Sequence, residues 1–356
     1  MRTAIGIGGA ASGARRDFEQ DVEFVVEAER LGVDCVWSAE AWGQDAIAPL
    51  AFIGARTSRI RLGTGIMQIS ARTPSMTAMT ALTMAAITND RFILGLGASG
   101  PQVVEGLQGR PFKAPLQRMK ETVDIIRLAF AGQKLAYDGV HHKLPLPGGE
   151  GKALRLSQPG NPGIPIYLAT LGPQTLEYTG FACDGWLGTS FTPEHGAAHI
   201  DPLRTGRARA GKTLDGFDIQ VGGVVAVGDD VGRLVAPLKG GMAFTLGAMG
   251  SPKTNFYNAA YKRGGWEDAA TEVQRLWVAG KREEATARVP DAMVEQANLL
   301  GSEAMVKARM RLYRDVGVTT LRLSPAGRTL AERLSTLGRA LDCLRAVNAE
   351  AVARNA

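Results

Sequence analysis

IRLGTGIMQISARTPSMTAMTALTMAAITNDRFILGLG, residues 60–97, decides the fold. It opens on IRLGTGIM (60–67), a run of apolar and small residues with the length of a buried strand. From Ser75 to Thr88 it reads as a helix, with Met76, Met79, Leu82 and Met84 to Ile87 as the apolar side. It closes on RFILGLG (91–97), a second strand. Strand, helix and strand in succession form a βαβ unit, whose strands pair in parallel through a right-handed crossover.

The rhythm extends both ways. Towards the N-terminus, DCVWS (34–38) and TAIGIG (3–8) are strands, and Ala46 to Thr57 is a helix. Phe18, Val22, Val25 and Glu29 with Leu31, all but Glu29 apolar, outline another helix, ended by Gly32. Towards the C-terminus, Leu116, Met119, Val123, Ile126 and Phe130 share one helix face. The pattern then breaks over 132–163. There KLAYDG and HHKLP flank Asp138–Gly139, a hairpin signal, and Pro and Gly follow in number. It resumes with strands at IPIYLAT (164–170), DGWLGT (184–189), FDIQVGGVVAV (217–227) and TTLRLSP (319–325). Helices are expected from Pro173 to Ala182, from Pro193 to Ala210 and after Asp229–Asp230. The stretch 240–300 is helical and irregular, and Leu330, Leu334, Leu337, Leu341 and Leu344 form a closing helix. These eight βα units predict one α/β domain over 1–356, a (β/α)8 TIM barrel with insertions near 132–163 and 240–300.

Composition narrows the function. With 45% hydrophobic residues in 356, a large core can form, and 44 glycines suit many tight strand–helix turns. The net charge of +6 is spread along the chain, without the concentration that nucleic-acid binding calls for. The N-terminus lacks a signal-peptide core, and no run is long enough for a membrane helix, so a cytoplasmic protein is expected. Cys35, Cys183 and Cys343 are isolated and read as buried thiols. His195 and His199 are spaced as metal ligands but lack an acidic or Cys partner, so no metal is expected. Neither a nucleophile elbow nor a triphosphate-binding loop is present.

A barrel of this kind builds its site at the C-terminal ends of its strands. After the second strand comes SAEAWGQD (38–45), where Glu40, beside Trp42, is a candidate acid or base or a hydrogen-bond partner of a cofactor ring. After the third comes GTGIMQISARTP (63–74). Its paired glycines mark a bulge or a backbone pressed against a ligand, with Gln68 and Ser70 as donors. After the fourth, GLGASG (95–100) matches the dinucleotide fingerprint formally. Its context does not, because a loop rich in Gly and Pro follows and the motif sits on the fourth βα turn. It remains a glycine-rich turn that a polar ligand can approach. After the fifth strand, Gly172–Pro173 starts a helix, a ready phosphate site. Lys253, in the large insertion, is placed to meet an anionic tail.

Taken in order, WSAEAWGQDAIAPLAFIGARTSRIRLGTGIMQISARTP (37–74), RFILGLGASGPQVVEG (91–106), PIYLATLGPQTLEYTGFACDGWL (165–187) and VGVTTLRLSP (316–325) resemble the bacterial luciferase-like superfamily, in its F420-dependent oxidoreductase branch. The resemblance implies a (β/α)8 barrel with coenzyme F420 in its mouth, and a non-prolyl cis peptide at Gly65–Ile66 against the ring. It places Glu40 and Gln68 near the ring. Gly97, Ala98, Ser99 and Gly100 would lie along ring or tail, and Leu171, Gly172 and Pro173 at the phosphate. Many F420 members carry Asp–His after strand two where this chain has Glu40–Ala41, so the histidine's role is unfilled or falls to Trp42. The implied activity is hydride transfer between F420 and a small organic substrate, with Glu40 handling the proton in a homodimeric enzyme. An FMN-dependent monooxygenase using O2 and a non-catalytic flavin- or deazaflavin-binding protein are the alternatives.

Overall fold

The computed structural model describes residues 1–8, 18–251 and 253–355. The chain opens with β1 (Arg2–Gly8) and α1 (Phe18–Leu31), and Gly32 follows at φ +98°, where a side chain would be strained. Its contacts divide the described residues into two compact units. One holds 36–169 with Ile7 and Gly8, the other 1–6, 18–35 and 170–355.

The first unit contains β2 (Cys35–Ala39), α2 (Ile47–Gly54), β3 (Arg61–Thr64), β4 (Met67–Gln68), α3 (Pro74–Ile87) and β5 (Phe92–Gly97). After these come a π-helical turn (Gln102–Leu107), α4 (Pro115–Phe130), a two-stranded antiparallel hairpin of β6 (Tyr137–Asp138) and β7 (Lys143–Leu144), and β8 (Ile166–Ala169). The single strand expected at 60–67 is two, parted at Gly65–Ile66, whose peptide bond is cis as the resemblance implied. Thr64 Oγ1 donates to the Gly95 carbonyl at 2.8 Å and accepts from its N–H at 2.9 Å, clamping β3 to β5 at the break. The turn at 102–107 falls where a plain loop was expected.

The face of α3 needs correcting. Met76, Met79 and Ile87 are exposed, whereas Ala78, Ala81, Leu82 and Ala85 are buried. Leu82, Met84 and Ala85 are buried as expected, and the small Ala78 and Ala81 complete the inner face and let the helix lie close to what it packs against, which leaves Met76, Met79 and Ile87 outside. Thr73 caps the helix by accepting from Met76 N at 3.2 Å, with Pro74 in the first turn.

The second unit adds α5 (Pro173–Ala182), β9 (Gly185–Leu187), α6 (Ala197–Arg209), β10 (Asp218–Val227), α7 (Val231–Val235), α8 (Lys239–Gly247) and α9 (Phe256–Tyr261). It continues with α10 (Glu267–Val278), α11 (Arg282–Ala287), α12 (Asp291–Ala297), β11 (Leu299–Gly301), α13 (Glu303–Asp315), β12 (Thr320–Pro325) and α14 (Leu330–Asn355). α5 and α6 cross at two glycines. A Cβ on Gly180 would lie 2.1 Å from the Leu203 carbonyl, and one on Gly206 1.9 Å from that of Glu177. The 240–300 insertion has its own core, including Leu246, Val273, Leu276, Met293 and Val294. Its end departs from the all-helical expectation, because Leu299–Gly301 is a strand parallel to β10. The helix expected at 193–210 is a 3-10 turn followed by α6.

In hydrogen-bond order the main sheet runs β11, β10, β12, β1, β2, β3, β5, β8, β9, and β9 pairs again with β10. The circuit β10–β12–β1–β2–β3–β5–β8–β9 therefore closes, and these eight strands are those read from the sequence. The fold is the (β/α)8 barrel. Among the described residues, no helix is long and apolar enough to cross a membrane.

Candidate functional site

In the first unit, the segments expected to meet a ring pack on one another. The Trp37 indole lies against the glycines of the third strand. A Cβ on Gly63 would come within 2.2 Å of it, and one on Gly65 within 3.0 Å of Trp37 Cβ. Gly65 N donates to Ser38 O at 2.8 Å, and Glu40 N to Ile66 O at 3.3 Å, tying the break in the strand to β2. The Ile66 side chain rests on Gly97, where a Cβ would lie 2.9 Å from Ile66 Cγ1. Together they form an apolar ledge at the ends of β3 and β5. Beyond it, Ser99 turns the chain at φ +59°, and the Gly100 carbonyl accepts from Val103 N and Val104 N at 3.1 and 3.0 Å.

Polar groups beside the ledge are bound together. Arg72 grips Glu40 with both terminal nitrogens at 2.7 Å. Oε1 of Glu40 also accepts from Gln68 N at 3.2 Å, and Oε2 from Ala46 N at 3.3 Å. Gln68 is buried, and its Nε2 donates to the carbonyls of Glu40 and Ala41 at 3.1 and 3.2 Å, while Oε1 accepts from Gln108 Nε2. Gln68 thus braces the loop after β2. Trp42 stands half exposed. The Ser70 hydroxyl is buried and has no hydrogen-bond partner among the described residues.

Leu171, Gly172, Pro173 and Lys253 belong to the second unit. α5 starts at Pro173 with Gly172 as its cap residue and no side-chain cap, so first-turn amides are open for an anion. Thr175 Oγ1 donates to Gly172 O at 2.8 Å, and Arg263 Nη2 to Leu171 O at 2.7 Å. Burial lowers the Arg263 pKa. Lys253 is exposed. His199 is buried between the rings of Trp186 and Phe191, 5.5 and 5.6 Å away.

Two arginines had not been singled out from the sequence. Arg72 lies in the quoted SARTP run, but its partner Glu40 is distant in sequence. Arg263 sits in the insertion, in a π-helical turn broken by Gly264 and Gly265. Only a basic residue within an otherwise apolar and glycine-rich strand-end loop marked the first, and no local pattern marked the second.

Comparison with known proteins agrees with the closed barrel. A protein of Mycobacterium tuberculosis, provisionally named a coenzyme F420-dependent oxidoreductase, is 39% identical over 311 residues, covering 85% of this chain and 90% of the relative. The 5,10-methylenetetrahydromethanopterin reductase of Methanolobus tindarius is 27% identical, over 88% of this chain and 92% of its own. Among solved structures, the coenzyme F420-dependent tetrahydromethanopterin reductase of Methanopyrus kandleri superposes with a TM-score of 0.78 at 21% identity, over 95% of this chain and 97% of that one. The sequence profile of the luciferase-like monooxygenases matches residues 3–320, and the chain belongs to that family.

Proposed function

We propose that this chain is an F420-dependent oxidoreductase that moves a hydride between the deazaflavin and a small organic substrate. The observation that carries the reading is the ledge of Ile66 on Gly97. It is apolar, and a Cβ on Gly97 of β5 would crowd the Ile66 side chain at 2.9 Å. A planar ring fits such a surface, and the unpartnered Ser70 hydroxyl nearby fits a ligand with acceptor atoms. The relative that is 39% identical over 90% of its length supports the choice of cofactor.

Bound there, the deazaflavin supplies a hydride donor and acceptor at its C5 carbon. The protein's part is position. Gly65, Ile66, Gly97, Ala98, Ser99 and Gly100 form the surface that receives the ring, and Trp42 stands beside it. Gln68, braced by Glu40 and Gln108, keeps the loop after β2 in register with β4. Taken by itself, the second unit offers an anion site where Leu171, Gly172 and Pro173 lead into α5, whose open amides at Gln174 and Thr175 suit a phosphate, with Arg263 adding charge and Lys253 the candidate for an anionic tail. Glu40 remains the candidate for proton handling. Held in the Arg72 fork it acts as a positioning residue, and proton transfer requires the fork to open.

Titration of the purified chain with F420 and with FMN tests the reading. Binding of F420 at micromolar concentration, followed by substrate-dependent change in its absorbance, is the expected result. Tight binding of FMN alone would replace the reading with a monooxygenase. F420 binding with no absorbance change across a broad substrate panel would leave a non-catalytic binding protein.

A further inference from the structure

Next to the ledge, the first unit encloses a hollow of about 580 Å3. Arg72, Arg110, Lys113, Arg118 and His142 line it, and among the described residues no aspartate or glutamate does. Cations gathered round a concave surface concentrate anions there. Arg72 is already neutralised by Glu40, and Arg118 Nε donates to the Lys113 carbonyl at 3.1 Å. Arg110 and Lys113 are exposed, and among the described residues their side chains make no ion pair.

Directed donors meet the same space. Ser70 lines it, and its hydroxyl, sealed from solvent, has no hydrogen-bond partner among the described residues, so rotation of the side chain would turn an unused donor toward a ligand acceptor. α4 begins at its wall with Pro115. This helix has 16 residues and no side-chain cap, which leaves first-turn amides and the positive end of the dipole open. The hairpin that supplies His142 is fixed in turn by Glu121, whose carboxylate accepts from the backbone N–H groups of Val140, His141 and His142 at 2.9, 2.8 and 2.8 Å. Ala98, one of the residues proposed to receive the ring, also lines the hollow.

We propose that this hollow binds the anionic end of a small organic ligand, a carboxylate or phosphate group. Arg110, Lys113 and Arg118 supply the charge, and Ser70 with the first turn of α4 supplies directed hydrogen bonds. The proposal rests on the oxidoreductase reading for what the ligand is, and on the hollow alone for its charge. Two sources carry that chemistry: the glutamate tail of the cofactor and an acidic substrate.

The test compares the wild-type chain with R110A/K113A and with K152A/K212A, a charge-matched control whose two lysines are exposed and lie outside the lining. Each is titrated by calorimetry with F420 bearing its glutamate tail, with the tail-less deazaflavin, and with citrate, at low and high salt. If the tail is the ligand, R110A/K113A loses about tenfold in affinity for tailed F420 only, and the loss shrinks in high salt. If an acidic substrate is the ligand, the loss appears for citrate and spares both cofactors. Unchanged binding of all three probes, or an equal loss in the control, overturns the proposal. A chain that binds citrate through Arg110 and Lys113 but binds no deazaflavin would sink the functional reading and leave the anion site standing. Far-UV dichroism and melting check folding, and R110Q/K113Q replaces the alanine pair if that pair is unfolded.

Discussion

Both carboxylate oxygens of Glu40 lie 2.7 Å from a terminal nitrogen of Arg72, so the two side chains meet as parallel forks. The pairing is charge-assisted and bidentate, and the hydrogen bond to Glu40 raises the Arg72 pKa. The side chains are only 22% and 10% exposed, which places the pair between a surface contact and a buried one. A double-mutant cycle with Glu40→Gln and Arg72→Met is therefore expected to give a coupling energy of about 1–3 kcal/mol in urea unfolding. Both single variants should also weaken F420 binding, because the Glu40 carboxylate ties Arg72 to the backbone amides of Gln68 and Ala46. A coupling below about 0.5 kcal/mol would show the fork to be incidental.

The two glycines that face Trp37 and Ile66 should differ in what they tolerate. At Gly63 a Cβ meets three Trp37 ring atoms between 2.2 and 2.8 Å, in a fully packed interior. Gly63→Ala is expected to cost about 3 kcal/mol or more. At Gly97 the nearest atoms are the Ile66 Cγ1 and Cδ1, at 2.9 and 3.0 Å, and that side chain can turn aside. Gly97→Ala should cost about 1 kcal/mol in stability but displace Ile66 from the ledge. Melting and F420 titration of both variants separate the effects. A Gly97→Ala chain with wild-type affinity would remove the ledge from the cofactor site.

The eight barrel strands were legible because each is a short apolar run bounded by glycine, proline or a polar turn, and the chain meets them in regular alternation with helices. α5 was legible to the residue, since Pro173 can start a helix and offers no amide for the preceding turn. The buried face of α3 was legible only in part. Leu82, Met84 and Ala85 are buried as expected, but Met76, Met79 and Ile87 are exposed and the small Ala78 and Ala81 take the inner positions. β11 escaped because Leu299–Gly301 is only three residues long and follows a helical stretch without a turn signal. In the candidate site, the paired glycines of GTG and the glycine that opens GASG marked where the chain packs tightly, on Trp37 and on Ile66. The partners of Glu40 and Gln68 could not be read, because Arg72 and Gln108 reach them across separations of 32 and 40 residues, which no local pattern encodes.

His199 sets an acid limit on stability. Neither ring nitrogen has a hydrogen-bond partner among the described residues, and burial, helped by the Arg263 charge, pushes the imidazole down to about 4 from 6.5. Between those values the unfolded chain takes up a proton that the folded chain refuses. Stability contributed by the neutral imidazole is complete above pH 6.5 and falls as pH drops, with no further loss below about pH 4. The full difference is about 3 kcal/mol. His199→Leu should flatten this part of the stability–pH curve and unfold later than wild type at pH 5. An unchanged slope between pH 6.5 and 4 in the variant would assign the acid sensitivity to other groups.

Glu121 pins the hairpin of β6 and β7 to α4. Burial alone would raise its pKa, but the hydrogen bonds from Gln117 and from the backbone of His141, His142 and Val140 outweigh that and hold it below the ordinary value. Stability from this carboxylate is present above the unfolded value and lost as pH falls through the lowered folded one. Glu121→Gln keeps the size but puts an amide nitrogen where a carboxylate oxygen accepted, so at least one backbone N–H of 140–142 faces a donor. The expected cost is about 1–3 kcal/mol, localised in the hairpin. Hydrogen exchange should show amides 140–142 losing protection while those of β5 keep theirs. Gly139→Ala offers an independent route to the same loosening, because its Cβ would sit 2.6 Å from Glu121 Oε2. If the hairpin stays protected in both variants, Glu121 does not hold it, and the placement of His142 over the basic hollow has another origin.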